Sequence, residues 1–305
     1  MTSTMQIRTQ EKSMADAPSP WKVFARVAST IWSNGKARIG IIVLGLFILI
    51  AIFAPLIAPY GASENGFDRS SDPTAAHWLG TTAAGEDVLS QLIWGSQISI
   101  FVGMVAGLLS TLIAVAIGLS WGYTRGFVAD VINFIVNLFL VIPGLPLMIV
   151  IAAYLSGGGI GMIIVVVVIT GWAWGARVLR SQTQSLRSRD FVTAAVFSGE
   201  SSFRIVFREI LPNMTSLIVG SFFGAATAAI LAEAGLESLG LGDSSIVSWG
   251  TMLFWAQNSN ALLTGQWALL FAPGLCIALL ATSLTLINFG VDGISNPRLR
   301  EGKQR

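Results

Sequence analysis

Six long stretches of this chain carry almost no charge, and that feature restricts its fold more than any other. A hydrocarbon core of about 30 Å takes about 20 mostly apolar residues per crossing helix. Runs of this kind lie at about Ile39–Ala58, Ile98–Tyr123, Val131–Leu155, Ile160–Trp174, Thr215–Ala232 and Trp267–Phe289. The fourth is prolonged by a polar helix towards Leu186, and the fifth, rich in Gly and Ala, ends at Glu233. Ser156-Gly157-Gly158-Gly159 is too short to do more than turn the third run back on the fourth. Composition points the same way: 11% of residues are charged and 53% hydrophobic, against about 25% charged in a soluble domain. An ordinary soluble enzyme is thereby excluded. One cysteine, Cys276, allows no internal disulfide, and one histidine, His77, allows no His/Cys zinc cluster.

Lys and Arg are kept on the cytoplasmic side of a membrane. They precede the first run (Arg8, Lys12, Lys22, Arg26, Lys36, Arg38), fall between the second and third (Arg125), and crowd between the fourth and fifth from Arg177 to Arg208. More follow the sixth, from Arg298 to Arg305, and Arg69 alone stands on the other side. The expectation is an all-α membrane protein of six transmembrane helices with both termini cytoplasmic. A cleavable signal peptide is not expected, because the polar N-terminal stretch is long and the first apolar run is a full span. The chain then divides into a tail (1–38), a first helix (39–58), an extracytoplasmic loop (59–97), a core (98–292) and a C-terminal tail (293–305). The core holds a cytoplasmic loop at 187–213 and an outer loop at 233–266.

Little in this sequence suggests bond chemistry. The Gly-Lys pairs at Gly35 and Gly302 lack the earlier glycine and following hydroxyl of a phosphate-binding loop. Glu233 and Glu237, at i,i+4, read as a solvated rim of an outer vestibule, with an acid/base pair as the minor alternative. Trp249, Trp255 and Trp267 suit the membrane interface; Trp249 is placed with the two glutamates in that vestibule. His77 reads as a surface histidine and Cys276 as a small hydrophobe. Pro143-Gly144-Leu145-Pro146 interrupts the third run, as a kink or as a break lining a pore. No basic stripe interleaved with aromatics is present, so no nucleic acid is expected as a partner.

The loop before the fifth run is the most specific segment. TAAVFSGESSFRIVFREILPNM, Thr193 to Met214, resembles the EAA loop of binding-protein-dependent ATP-binding-cassette importer permeases. Ala194, Ala195, Gly199, Ile205, Leu211, Pro212 and Asn213 match that pattern. Thr193 stands where the family often has its first glutamate, and Glu209 where the peptide/nickel subfamily often has a histidine. HWLGTTAAGEDVLSQLIWGSQISIFVG, LGLGDSSIVSWGTML and NPRLR resemble other segments of that subfamily, in its C-type subunit. The resemblance implies a permease fold with cytoplasmic coupling helices, in which Ala194, Ala195, Gly199, Ser201, Ile205, Leu211 and Pro212 couple to ATPase subunits.

It implies partners as well: a second homologous permease, two ATPase subunits that hold ATP and Mg, and an extracytoplasmic solute-binding protein. No cofactor is expected on this chain. Di- and oligopeptides are the implied cargo, with oligosaccharides or nickel as alternatives, and a secondary transporter or channel as the more distant one. The implied location is the inner membrane of a bacterium or archaeon.

Overall fold

The computed structural model describes residue 32, residues 34–155 and residues 158–295, with the backbone alone from 292 onwards. Most of the two expected tails, and Ser156-Gly157 of the tight turn, lie outside the described residues. Those described are helical, with two isolated bridges, Asn65 to Glu86 and Thr81 to Asp87, and no strand.

Helix α1 (Gly35–Ile52) starts where the Asn34 side chain accepts from the Lys36 and Ala37 amides at 3.0 and 3.5 Å. It stops because Pro55 lacks an N–H and its ring crowds the carbonyl four residues back. A short α2 (Ala54–Ile57) follows, so the run expected as one helix over 39–58 is interrupted at Phe53. Helix α3 (Val88–Tyr123) has 36 residues: the apolar run from Ile98 is joined to the helical pattern that the sequence carries from near Glu86. Asp87 sets that start: its Oδ2 accepts from the Ser90 amide at 2.8 Å and the Ser90 hydroxyl at 2.7 Å.

The third run is two helices, α4 (Phe127–Val141) and α5 (Gly144–Tyr154), set at 92° to each other. Ile142 and Pro143 between them are extended, with ψ of 128° and 122°. Pro143 and Pro146 carry no N–H, so the carbonyls of Phe139 and Ile142 lose their next-turn donors. A mild kink is thus replaced by a right-angled elbow. Helix α6 (Gly159–Arg187) leads into α7 (Asp190–Phe197) and the one-turn α8 (Ser202–Arg204). A π turn at Ile205–Ile210 and a 3-10 turn at Leu211–Met214 carry the chain into α9 (Thr215–Ser238). The wide turn accommodates Pro212, which cannot supply an α-helical donor. α10 (Trp249–Asn258) and α11 (Trp267–Ser295) complete the order.

Five helical stretches are long and apolar enough to cross a bilayer, or six if the bent α4–α5 pair is one span. α3 is central, packed mainly on α6 and α9, and α11 bridges α9 to α1. Small residues set these contacts. A β-carbon on Gly107 would stand 2.6 Å from the Ala226 Cα of α9, and one on Gly118 2.8 Å from the Ala176 carbonyl oxygen of α6. Gly103 with Gly107, and Gly118 with Gly122, have the G-x-x-x-G spacing that lets membrane helices approach closely.

Candidate functional site

The bundle has two chemically distinct ends. At the first, α3 and α6 finish together: the Arg180 guanidinium lies 3.8 Å from the Trp121 ring centroid, and that of Arg187 5.1 Å from Tyr123. Arg177 donates to the Asn137 Oδ1 of α4 at 2.5 Å. From this end projects the α7–α8 pair. Asp190 in the first turn of α7 suits its positive pole. Its last turn closes with Gly199 N–H on the Val196 carbonyl at 3.0 Å and Glu200 N–H on that of Ala195 at 3.1 Å. This reversal needs φ of +77° at Gly199, where glycine has no steric penalty. Ser201 then caps α8, accepting from the Arg204 amide at 3.4 Å.

The pair has two faces. Val192, Ile205, Val206, Ile210 and Met214 are buried in one cluster with Leu119, Trp121 and Ala173, which fixes the pair to the bundle. On the other face Phe197 is 87% and Phe203 72% exposed, with Phe203 and Phe207 ring centroids 4.4 Å apart. Ala194, Gly199, Ser201 and Pro212 are exposed, and Ala195 and Leu211 half-buried. Ile205 departs from the expected group: it is an anchor inside the bundle and offers nothing to a partner's surface.

At the opposite end the three residues expected in a solvated vestibule, Glu233, Glu237 and Trp249, are buried. Glu233 and Glu237, 0% and 3% exposed, are the last buried turns of α9, which runs past the expected end at Ala232. Glu233 Oε1 accepts from the Ser99 hydroxyl of α3 at 3.0 Å, and that hydroxyl accepts from the Trp249 amide at 3.1 Å. Glu237 accepts from Ser248, whose side chain also caps α10 in a reciprocal box with Thr251. Buried carboxylates require such donors, and these tie α9, α3 and α10 together. Glu233 Oε2 has no partner. Trp249 is also buried, its Nε1 donating to the Leu92 carbonyl at 3.0 Å, so it is a core residue and not an interface anchor. Trp255 and Trp267 are exposed.

His77 is not a surface residue either. Its Nδ1 lies 2.9 Å from Asp87 Oδ1, and its ring packs against Tyr60 and Phe67 at centroid distances of 5.2 and 4.6 Å. The segment from 59 to 87 is therefore a folded cap on α3, tied down again by Trp94 Nε1 donating to the Tyr60 carbonyl at 3.1 Å. Among the described residues no three His, Cys, Asp or Glu side chains gather to hold a metal.

Cavities at two places in this frame bear on the site. One of about 370 Å³ is held between the cap, residues 244–247 and α10. The other, of about 410 Å³, is lined by small residues of α3, α6 and α9, such as Ser110, Gly171, Gly220 and Ser221, with Asn288 of α11. Pro143 and Pro146 line neither; they stand exposed at the elbow.

Long apolar helices, close glycine contacts and an exposed aromatic helix pair at one end describe a multi-pass membrane protein. Residues 114–301 match the model of the binding-protein-dependent transport system inner membrane component family, and the chain belongs to that family. Residues 19–73 match the N-terminal transmembrane domain of oligopeptide transport permease C. Dipeptide transport system permease protein DppC of Bacillus subtilis (strain 168) is 32% identical over 269 residues, 88% of this chain and 83% of its own. Oligopeptide transport system permease protein OppC of the same organism is 33% identical over 272 residues, 88% of each chain. A probable peptide ABC transporter permease protein, y4tQ, of Sinorhizobium fredii is 35% identical over 257 residues, 84% of this chain and 87% of its own. Members of such systems work with ATPase and binding-protein partners.

Proposed function

We propose that this chain forms half of the translocation pathway of a peptide importer and transmits to it the work of ATP hydrolysis. The observation that carries the reading is the α7–α8 pair, bolted to α3 and α6 on one face and presenting Phe197, Phe203 and Phe207 on the other. In this reading α4 and α5 are one broken span, so six spans place both termini in the cytoplasm beside the arginines. A second homologous permease completes the pathway. Two ATPase subunits hold ATP and Mg, and this chain binds neither.

Closure of the ATPases pushes on the α7–α8 pair through Ala194, Ala195, Gly199 and Ser201, with Leu211 and Pro212 passing the movement into α9. The spans then rock between inward- and outward-open arrangements. The small-residue cavity between α3, α6 and α9 is placed on the pathway. The elbow faces the pathway or the second permease, because backbone groups without partners are not tolerated against lipid. Di- and oligopeptides are the proposed cargo, following the names of the relatives.

The test is reconstitution of this chain into vesicles with its partner permease, ATPases and binding protein. Uptake of labelled peptide is expected only with all components and ATP. Solute flux through the chain alone overturns the importer reading, and oligosaccharide retained on the purified binding protein overturns the cargo alone.

A further inference from the structure

The cavity of about 370 Å³ is bounded by Thr82 and Glu86 of the cap, Ile246 of the following loop, Met252 and Trp255 of α10 and Leu269 of α11. Glu86 is its one acidic wall residue. Its Oε2 accepts from the Thr82 hydroxyl at 3.1 Å and the Gln91 Nε2 at 2.8 Å, so the carboxylate is held in place. Oε1 has no donor, and no Lys, Arg or His nitrogen lies within 4 Å of the group among the described residues. A half-buried carboxylate held in this way keeps one oxygen open to meet a cation from outside.

The rest of the wall suits a stem of methylenes. Ile246, Met252 and Leu269 are apolar, and the Trp255 ring is fixed at the mouth by its Nε1 donating to the Ser244 carbonyl at 3.2 Å. An indole face attracts a cation, and apolar walls accommodate the long arm behind it. Next in sequence to Ser244 of the wall, Asp243 accepts from the Ser245 hydroxyl at 2.6 Å and amide at 3.0 Å, which holds its carboxyl below the ordinary range. Along the chain, residues 59–87 of the cap carry Glu64, Asp68, Asp72, Glu86 and Asp87 against Arg69.

We propose that this cavity receives a lysine or arginine side chain of the extracytoplasmic binding protein, with Glu86 as its counter-ion. The proposal rests on the importer reading above, which puts that protein at this end. It assigns the docking a chemistry: an acidic socket on the permease for a basic knob on its partner.

The experiment uses the complete reconstituted transporter and reads ATP hydrolysis as the binding protein is titrated in. Glu86→Gln keeps an acceptor for Thr82 and Gln91 and removes the charge. It is expected to raise the half-saturating concentration of binding protein about tenfold, to leave the maximal rate in place and to flatten the salt dependence of docking. Trp255→Leu, on an independent wall, raises the same concentration about threefold. An unchanged half-saturation in Glu86→Gln, or an effect no larger than that of Asp72→Asn, overturns the socket.

A second arm compares uptake of free-amine and N-acetylated peptides. If Glu86→Gln weakens uptake only of the former while the binding-protein titration stays put, the occupant is the solute's own ammonium, and the proposal is overturned. If the binding protein does not stimulate the wild-type complex at all, the importer reading has failed and takes the socket with it.

Discussion

Gly199 and Gly107 show glycine serving two unlike demands. At Gly199 nothing lies within 4 Å of where a β-carbon would stand, so the position requires a backbone angle and not space. Gly199→Val is expected to cost about 1–3 kcal/mol of local strain and to abolish solute-stimulated ATP hydrolysis without impairing insertion. Gly199→Asn, which tolerates the left-handed region, should retain most of it, and equal loss in both would place the requirement elsewhere. Gly107 is the reverse case, with the Ala226 amide nitrogen 2.7 Å from a β-carbon that it does not have. Gly107→Val must separate α3 from α9 and should lower stability by about 1–3 kcal/mol. Gly45→Val, with open space around it, serves as the comparison in a thermal melt of the detergent-solubilised chain.

The elbow between α4 and α5 offers a test at the level of the element. Restoring N–H groups with Pro143→Ala and Pro146→Ala should let one helix run from Phe127 to Tyr154. Spin labels at those two residues would move from about 28 Å apart across the right angle to about 40 Å along a straight helix. Uptake is expected to fall in the same variant; an unaltered distance would mean that packing, not proline, makes the bend. Hydropathy alone located the apolar runs, since lipid-crossing helices must be apolar along their length, and Gly199 was legible as a break because a loop between short helices needs one.

What escaped were features set by distant partners. Glu233 read as solvated because the hydroxyl that answers its Oε1 belongs to Ser99, 134 positions away, and no periodicity reports that. Trp249 looked like an interface anchor for the same reason, its partner being the Leu92 carbonyl. The start of α3, by contrast, was legible as a helical pattern from near Glu86, and Asp87 caps it through Ser90. The G-x-x-x-G pairs of α3 stood open in the sequence and mark its two packing faces.

At the scale of the molecule, charge separates the two ends: arginines gather where α3 and α6 finish, carboxylates where α3 begins. Reporter fusions after Lys36 and Gly302 should therefore be cytoplasmic and those after Asp72 and Asn258 external; an external terminus would reverse or break the six-span arrangement. The length of α3 then acquires a mechanical meaning. Its 36 residues make a rod of about 54 Å with the folded cap at one tip and the base of the α7–α8 pair at the other. If that rod pivots near its middle by about 10°, each tip travels about 5 Å, in opposite directions. A push received at one surface of the membrane thus reappears, reversed and undiminished, at the other.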